Sequence, residues 1–148
     1  DCFYRMQLES LADCRDAGLA AIAVRAGKEI QYHLRHASQW LVRLGDGTDF
    51  SHARAADSLQ RLWRYSGEMF EGDAVDEILQ REFNGPDLGE IAVRWRADME
   101  VLLAEATLAV PEDQWMDGGG RDGRHSEHFG YLLAEMQHLH RSFPGASW

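Results

Sequence analysis

The sequence predicts an all-α fold, and three observations carry that prediction. Apolar residues recur in steps of three and four over most of the chain, no segment alternates with period two for long enough to make a strand, and the periodic runs stop at Gly and Asn punctuation such as Gly45-Asp46-Gly47, Gly72 and Asn84-Gly85-Pro86. With 148 residues the chain has the size of one domain and the length for a real core. Its 45% hydrophobic and 27% charged residues suit a soluble globular protein. Lys+Arg 15 against Asp+Glu 25 gives a net charge of −10, with no dominating basic stripe, which argues against a nucleic-acid or anionic-membrane partner. Cys2 and Cys14 are too few for a disulfide framework, nothing ahead of them reads as a signal peptide, and no apolar run approaches membrane-spanning length. A cytoplasmic protein with free thiols is the expectation.

The elements follow in order. Asp1-Cys2-Phe3-Tyr4-Arg5-Met6-Gln7-Leu8 begins already in helical pattern with no cap, so we expect a piece of a longer chain whose earlier helices are missing. Its first helix covers Phe3 to Leu11. A long helix runs from about Gly18 to Leu44, with Leu19, Ile22, Ala26, Ile30, His33/Leu34, Ala37, Leu41 and Leu44 as one buried face. Gly27 inside it costs about 1 kcal/mol relative to Ala, which points to a close helix–helix approach there. Gly45 and Gly47 end it as a left-handed C-cap would. Ser51 is the expected N-cap of a third helix, with Ala55, Leu59, Leu62/Trp63, Ser66 and Phe70 inward and Gly72 as its stop. A short helix opens at Asp73, and Asp87 caps a fourth substantial one bearing Ile91, Trp95, Met99, Leu102/Leu103 and Ala106. The stretch from Leu108 to Arg124 is irregular, and a last helix spans about Ser126 to Ser142.

Several clusters invite chemistry. Glu29 and His33, four apart, reach one ion from one helix face, at the edge that also carries His36 and Trp40. Two-metal carboxylate bundles instead use Glu-x-x-His with a step of three, twice, plus two further Glu residues. Three residues after Glu29 stands Tyr32. Glu135 and His138 have the right step, and Glu68 and Glu105 are candidates for the lone carboxylates, but Leu132, Leu133, Met136 and Leu139 set the core face to one side of Glu135. The plainer alternative for Glu29 is a buried carboxylate held by an Arg or His of a neighbouring helix. His125 and His128 flank Ser126-Glu127, where a helix cap competes with an incomplete zinc site. Gly118-Gly119-Gly120-Arg121-Asp122-Gly123 fits G-x-G-x-x-G in letters only, since no strand precedes it. With Arg121, Arg124 and a helix start it reads as an anion site, a docking loop or a plain connector. No cysteine lies beside a histidine and no serine sits in a nucleophile elbow. Trp40, Trp63 and Trp95 fit inner faces, whereas Trp115 and Trp148 fall in loop and tail, where burial against another subunit is the economical reading.

The order of these stretches resembles a known family. Lys28-Glu29-x-x-Tyr32-His33-Leu34-Arg35, Trp40-Leu41-x-Arg43-Leu44-Gly45-Asp46-Gly47-Thr48, Leu62-Trp63-Arg64-Tyr65 with Glu68-Met69-Phe70, Glu105-Ala106-Thr107-Leu108, Gly118-Gly119 with Gly123, His125-Ser126-Glu127-His128-Phe129-Gly130, Leu132-Leu133-Ala134-Glu135-Met136-Gln137 and the closing Pro144-Gly145-x-x-Trp148 resemble the C-type subunits of bacterial phenylacetyl-CoA epoxidases, almost end to end. The resemblance implies a ferritin-like helical bundle, of which residues 1–148 are the C-terminal part of a single domain. It also implies a non-catalytic structural subunit that docks to and stabilises a di-iron catalytic subunit of phenylacetate catabolism. Iron and acyl-CoA then belong to that partner, and no cofactor is expected in this chain. Glu29 and His33 become a degenerate metal site, and Gly119, Arg121, Arg124, His125, His128 and Trp148 candidates for partner or anion docking. The exposed apolar helix face is then expected to be met by the partner or by a homo-oligomer. The competing readings are an independent di-metal carboxylate oxidase using Glu29, His33, Glu135 and His138, and an acyl-CoA or anion-binding helical module at Gly118–His125.

Overall fold

The computed structural model describes residues 1–112 and 115–147. It comprises six α-helices, α1 (Cys2–Ala12), α2 (Ala17–Gly45), α3 (Asp49–Leu62), α4 (Ala74–Phe83), α5 (Leu88–Glu105) and α6 (His128–Ser142), with no strand among the described residues. The all-α class is borne out. The chain divides into two compact units, Asp1–Asp117 and Gly118–Trp148.

In the first unit the helix starts are set by side-chain caps. The Asp16 carboxylate accepts from the Leu19 N–H, Asp87 from Glu90 N–H, and Asp73 from Val75 and Asp76 N–H. For α3 the cap is Thr48, and Ser51 is the third helical residue of a reciprocal capping box, so the expected cap lies three residues late. That helix also stops at Leu62, and two 3₁₀ turns, Trp63–Tyr65 and Gly67–Phe70, carry the rest of the expected inner face. Asn84, with φ +55°, ends α4 in the left-handed conformation, as the Asn84-Gly85-Pro86 break foretells.

The core gathers Phe3 and Met6 of α1, Trp63, and Leu88, Ile91, Trp95 and Leu103 of α5, closed by Ala106 and Leu108. Phe3, Phe70, Trp95 and Trp63 form a chain of rings with centroids 5.4 to 5.6 Å apart. Each such side chain withdrawn from water contributes about 1.5–3 kcal/mol. Beside this core, Arg5 bridges Glu9 at 2.7 Å and Asp98 at 2.6 Å, and Arg94 reaches Glu9 at 3.0 Å, fastening α1 to α5. Burial pushes the Glu9 carboxyl up, but the hydrogen bonds and charges of Arg5 and Arg94 outweigh it and hold the group below the usual carboxylate range. Burial and the neighbouring Asp98 raise the Cys2 thiol. Both cysteines are free thiols.

The long helix departs in part from expectation in its facing. Its inward positions are Ala20, Ala23, Ala26, Gly27, Ile30, Leu34, Ser38, Leu41, Val42 and Gly45, all buried or half-buried, so Ala26, Ile30, Leu34 and Leu41 lie inward as expected. At 100° per residue the centre of this seam lies roughly 70° around the axis from the centre of the predicted stripe. Ile22 is 64% exposed, and Leu19, Ala37 and Leu44 are also exposed. The reason is steric. α1, α3 and α5 all pack against α2, and backbones approach most closely over small residues. The close approach falls at Gly45, where an added Cβ would lie 2.1 Å from the Ala106 carbonyl oxygen, while one at Gly27 would meet nothing within 4 Å. Gly27 therefore does not mark the helix contact expected of it. Nor is Gly45 a left-handed cap: it is the last helical residue, and Asp46 follows at φ −95°. The Gly45 carbonyl accepts from His52 Nδ1 at 2.7 Å and from the Thr107 hydroxyl at 3.0 Å, joining the ends of α2 and α5 to the start of α3.

In the second unit, Gly120–Asp122 forms one 3₁₀ turn and α6 follows. α6 starts two residues later than expected, at His128, with Glu127 at the cap position and no side-chain cap. None of its residues is buried; of the residues expected on a core face, Leu133 is half-buried, while Leu132, Met136 and Leu139 are more than half exposed.

Candidate functional site

The sequence directs attention first to the middle of α2. Glu29 and His33 do pair, with Nε2 3.6 Å from Oε1, but their side chains are 79% and 53% exposed. The expected buried carboxylate held from a neighbouring helix is thus an exposed one held from its own. An ion bound there would keep most of its coordination sphere in water, and no group of three or more His, Cys, Asp or Glu side chains converges anywhere among the described residues. Glu105, Glu135 and His138 are all exposed, and Glu68 sits half-buried in the second 3₁₀ turn, so none of them completes a set with Glu29 and His33. Reading backwards from His33, the step of three falls on Ile30, so Glu29 and His33 do not form a Glu-x-x-His pair. Among the described residues, then, the side chains singled out do not assemble into a di-metal ligand set.

The ring side chains on this helix are organised instead into a surface ladder. Tyr32 stacks on His36 with centroids 6.4 Å apart and planes 16° apart, and His36 meets Trp40 edge-on at 6.4 Å. The Arg35 guanidinium lies 5.7 Å from the Tyr32 centroid and that of Arg43 lies 5.5 Å from Trp40. Tyr32 is 60% and Trp40 48% exposed, so Trp40 is a surface residue, unlike the buried Trp63 and Trp95. Arg35 and Arg43 are not ligand-type residues, and a motif sought by its ligands passes over them. Their signal in the sequence is the four-residue spacing of Tyr32, His36 and Trp40, with an arginine beside each end.

Around the far end of α2, Leu41, Leu44, Phe50, Ala55, Leu59 and Leu62 line an open apolar groove of about 540 Å³ between α2 and α3. Near the end of the first unit, Arg64 pairs with Asp117 and lies 4.9 Å from the centroid of Trp115, which is itself 69% exposed.

The glycine-rich loop folds on itself. Gly119 takes φ +85° and its carbonyl accepts from the N–H groups of Asp122 and Arg124, both at 3.0 Å, while Gly123, at φ +83°, donates to Gly120. A Cβ at Gly119 would meet the Arg124 side chain at 2.8 Å. Three N–H groups that an anion would need are therefore already engaged. Arg121, Arg124, His125 and His128 are exposed, and the His125 ring lies 4.1 Å from Phe129. Trp148, the remaining docking candidate, lies outside the described residues.

Fold and site together define an all-α protein whose longest helix presents aromatic and cationic side chains rather than a convergent ligand set. No helix among the described residues is long and apolar enough to cross a membrane. The chain belongs to the family described as phenylacetic acid catabolic protein, whose model matches residues 1–148. It is 40% identical over 148 residues to the C-type subunit of 1,2-phenylacetyl-CoA epoxidase of Escherichia coli strain K12. That alignment covers 100% of this chain and 60% of the relative, so the chain spans about 60% of the length of the curated relative it matches.

Proposed function

We propose that this chain serves as a non-catalytic structural part of a multicomponent phenylacetyl-CoA epoxidase, in which it docks to and stabilises the di-iron catalytic subunit. The carrying observation is its 40% identity, along its whole length, to a protein named as one subunit of such an epoxidase. Glu29 and His33 stand four apart rather than at the step of three that Glu-x-x-His sites use, which supports the non-catalytic part of the reading. The ferritin-like frame is retained, iron and acyl-CoA are held by the partner, and the assembly is cytoplasmic. Exposed apolar side chains on α2, in the groove against α3 and on α6 favour association with other chains.

Three measurements test this. Oxygenase activity is assayed for the chain, for the di-iron subunit and for their mixture, with co-purification of the pair as the first expectation. Anaerobic iron titration of the chain alone is expected to leave no tightly held metal, and two irons retained per chain overturn the reading. In sedimentation, a monodisperse monomer well above micromolar concentration counts against self-association through the apolar face.

A further inference from the structure

The charge of this protein is unevenly placed. The whole chain is −10, yet α2 carries Arg25, Lys28, Arg35 and Arg43 against the single carboxylate Glu29. All four cations are exposed, and none forms an ion pair with a carboxylate among the described residues. Elsewhere Arg5, Arg61, Arg64, Arg81, Arg94 and Arg96 each meet a carboxylate, whereas Arg15 donates to the Glu82 carbonyl and Arg54 lies over the Phe50 ring. At 100° per residue the four cations share one arc of about 80° with Tyr32 and Gln39, bordered by His36 and Trp40. This arc lies on a different side of the helix from the inward seam. It runs roughly 27 Å along the axis at 1.5 Å per residue.

The face is also pre-ordered. Arg35, Tyr32, His36, Trp40 and Arg43 form an unbroken series of ring and guanidinium contacts. A guanidinium stacked on a ring still offers its N–H edge to a carboxylate, and its rotamer freedom is already reduced before a partner arrives. Tyr, Trp and Arg are the side chains that carry most binding energy at protein interfaces. Lys28 and Arg35 are seven residues apart, and Arg35 and Arg43 eight, so they recur about every two helical turns. A second helix crossing at a small angle meets its neighbour at that interval.

The geometry points to the Arg25–Arg43 face of α2 as the seat of an acidic helix from another subunit, one with carboxylates about seven residues apart and apolar side chains between them over Tyr32 and Trp40. This inference rests on the docking reading above and adds to it the surface and the chemistry of the partner. A second copy of α2 is disfavoured as occupant because like charges would face each other. A nucleic acid is disfavoured by the −10 charge of the chain.

The test immobilises the full chain and titrates it with purified di-iron subunit of the same epoxidase, at 50 and 300 mM salt. The unaltered chain is expected to bind, and more weakly at high salt. Arg35→Glu/Arg43→Glu is expected to weaken binding at least tenfold and flatten the salt dependence. Arg61→Glu/Arg81→Glu, a reversal away from this face, is expected to change it less than twofold. Circular dichroism confirms the fold, and Arg35→Gln/Arg43→Gln takes over if the reversal lowers helix content. Equal binding by the α2 variant and the unaltered chain overturns the inference while leaving the docking reading intact. No binding by the unaltered chain overturns both. Sedimentation that shows self-association abolished by the α2 variant assigns the face to a second copy. Retention of a labelled oligonucleotide that the variant abolishes assigns it to nucleic acid. Either result also overturns the inference.

Discussion

Two glycines of one helix should respond to alanine in opposite directions. At Gly27 a Cβ meets nothing within 4 Å, so Gly27→Ala gains the helix-interior preference of Ala over Gly, about 1 kcal/mol. At Gly45 the same atom would stand 2.1 Å from the Ala106 carbonyl oxygen and 3.0 Å from its carbon. Ordinary contact begins near 3.4 Å, so α2 and the end of α5 must separate by about 1 Å. Overpacking of that kind costs about 1–3 kcal/mol. The displacement also stretches the two hydrogen bonds to the Gly45 carbonyl, from His52 at 2.7 Å and Thr107 at 3.0 Å, each contributing about 1 kcal/mol. Less the helix preference of Ala, the net loss is about 2–4 kcal/mol. Urea unfolding followed by circular dichroism and by the fluorescence of buried Trp63 and Trp95 reads both variants. With a slope of about 2 kcal/mol/M, the midpoint should rise by about 0.5 M for Gly27→Ala and fall by about 1–2 M for Gly45→Ala. A Gly45→Ala protein within about 0.5 kcal/mol of the parent, inside the range usual for surface changes, refutes the reasoning.

Leu103, fully buried on α5, should lose about 2–5 kcal/mol as Leu103→Ala, measured in the same unfolding experiment. Glu29→Ala should shift stability by less than about 0.5 kcal/mol, because its partner His33 is exposed; a larger loss would mean the pair is not a surface one. Acid should weaken the first unit through Glu9 and Asp87. Asp87 is held below the usual carboxylate range by the Glu90 N–H, then by the Gln80 side chain, and Glu9 by its two arginines. Depressed folded-state values mean that the unfolded chain binds more protons as pH falls. Their contribution is therefore fully present above the ordinary carboxylate value, about 4, and is lost as pH drops through the folded-state values. Thermal melts from pH 6 to pH 2 should show that loss, and Glu9→Gln with Asp87→Asn should flatten it.

Helix starts and stops that depend on local chemistry were legible in the residues. Asp73 and Asp87 cap where expected, Asn84 terminates α4, and Ile91, Trp95, Leu103 and Ala106 fall on the buried stripe of α5. The facing of α2 was legible only in part: Ala26, Ile30, Leu34 and Leu41 lie inward as expected, whereas Leu19, Ile22, Ala37 and Leu44 are exposed. Its apolar residues cover a wider arc than any single neighbour, and the seam that α1, α3 and α5 occupy was decided by the small side chains of Ala20, Ala23 and Gly45, which a hydrophobicity pattern weights lightly. The site followed the same division. Glu29 and His33 are within reach of one another as their four-residue spacing implies. Spacing alone, however, carries no information about exposure, and it is exposure that removes them from a buried ion site. Trp40 was misplaced inward for the same reason, since it borders the predicted stripe rather than the seam.

α6 has fifteen residues and not one of them is buried. Isolated helices of that length are marginal in water, because nucleation is costly and only tertiary packing sustains them. Its backbone amides are therefore governed by local opening, whereas those of α5 are shielded by the global transition. Deuterium uptake on the second unit is consequently a direct gauge of anything that settles onto Leu132, Met136 and Leu139: a partner that covers them slows exchange there while leaving α5 unchanged.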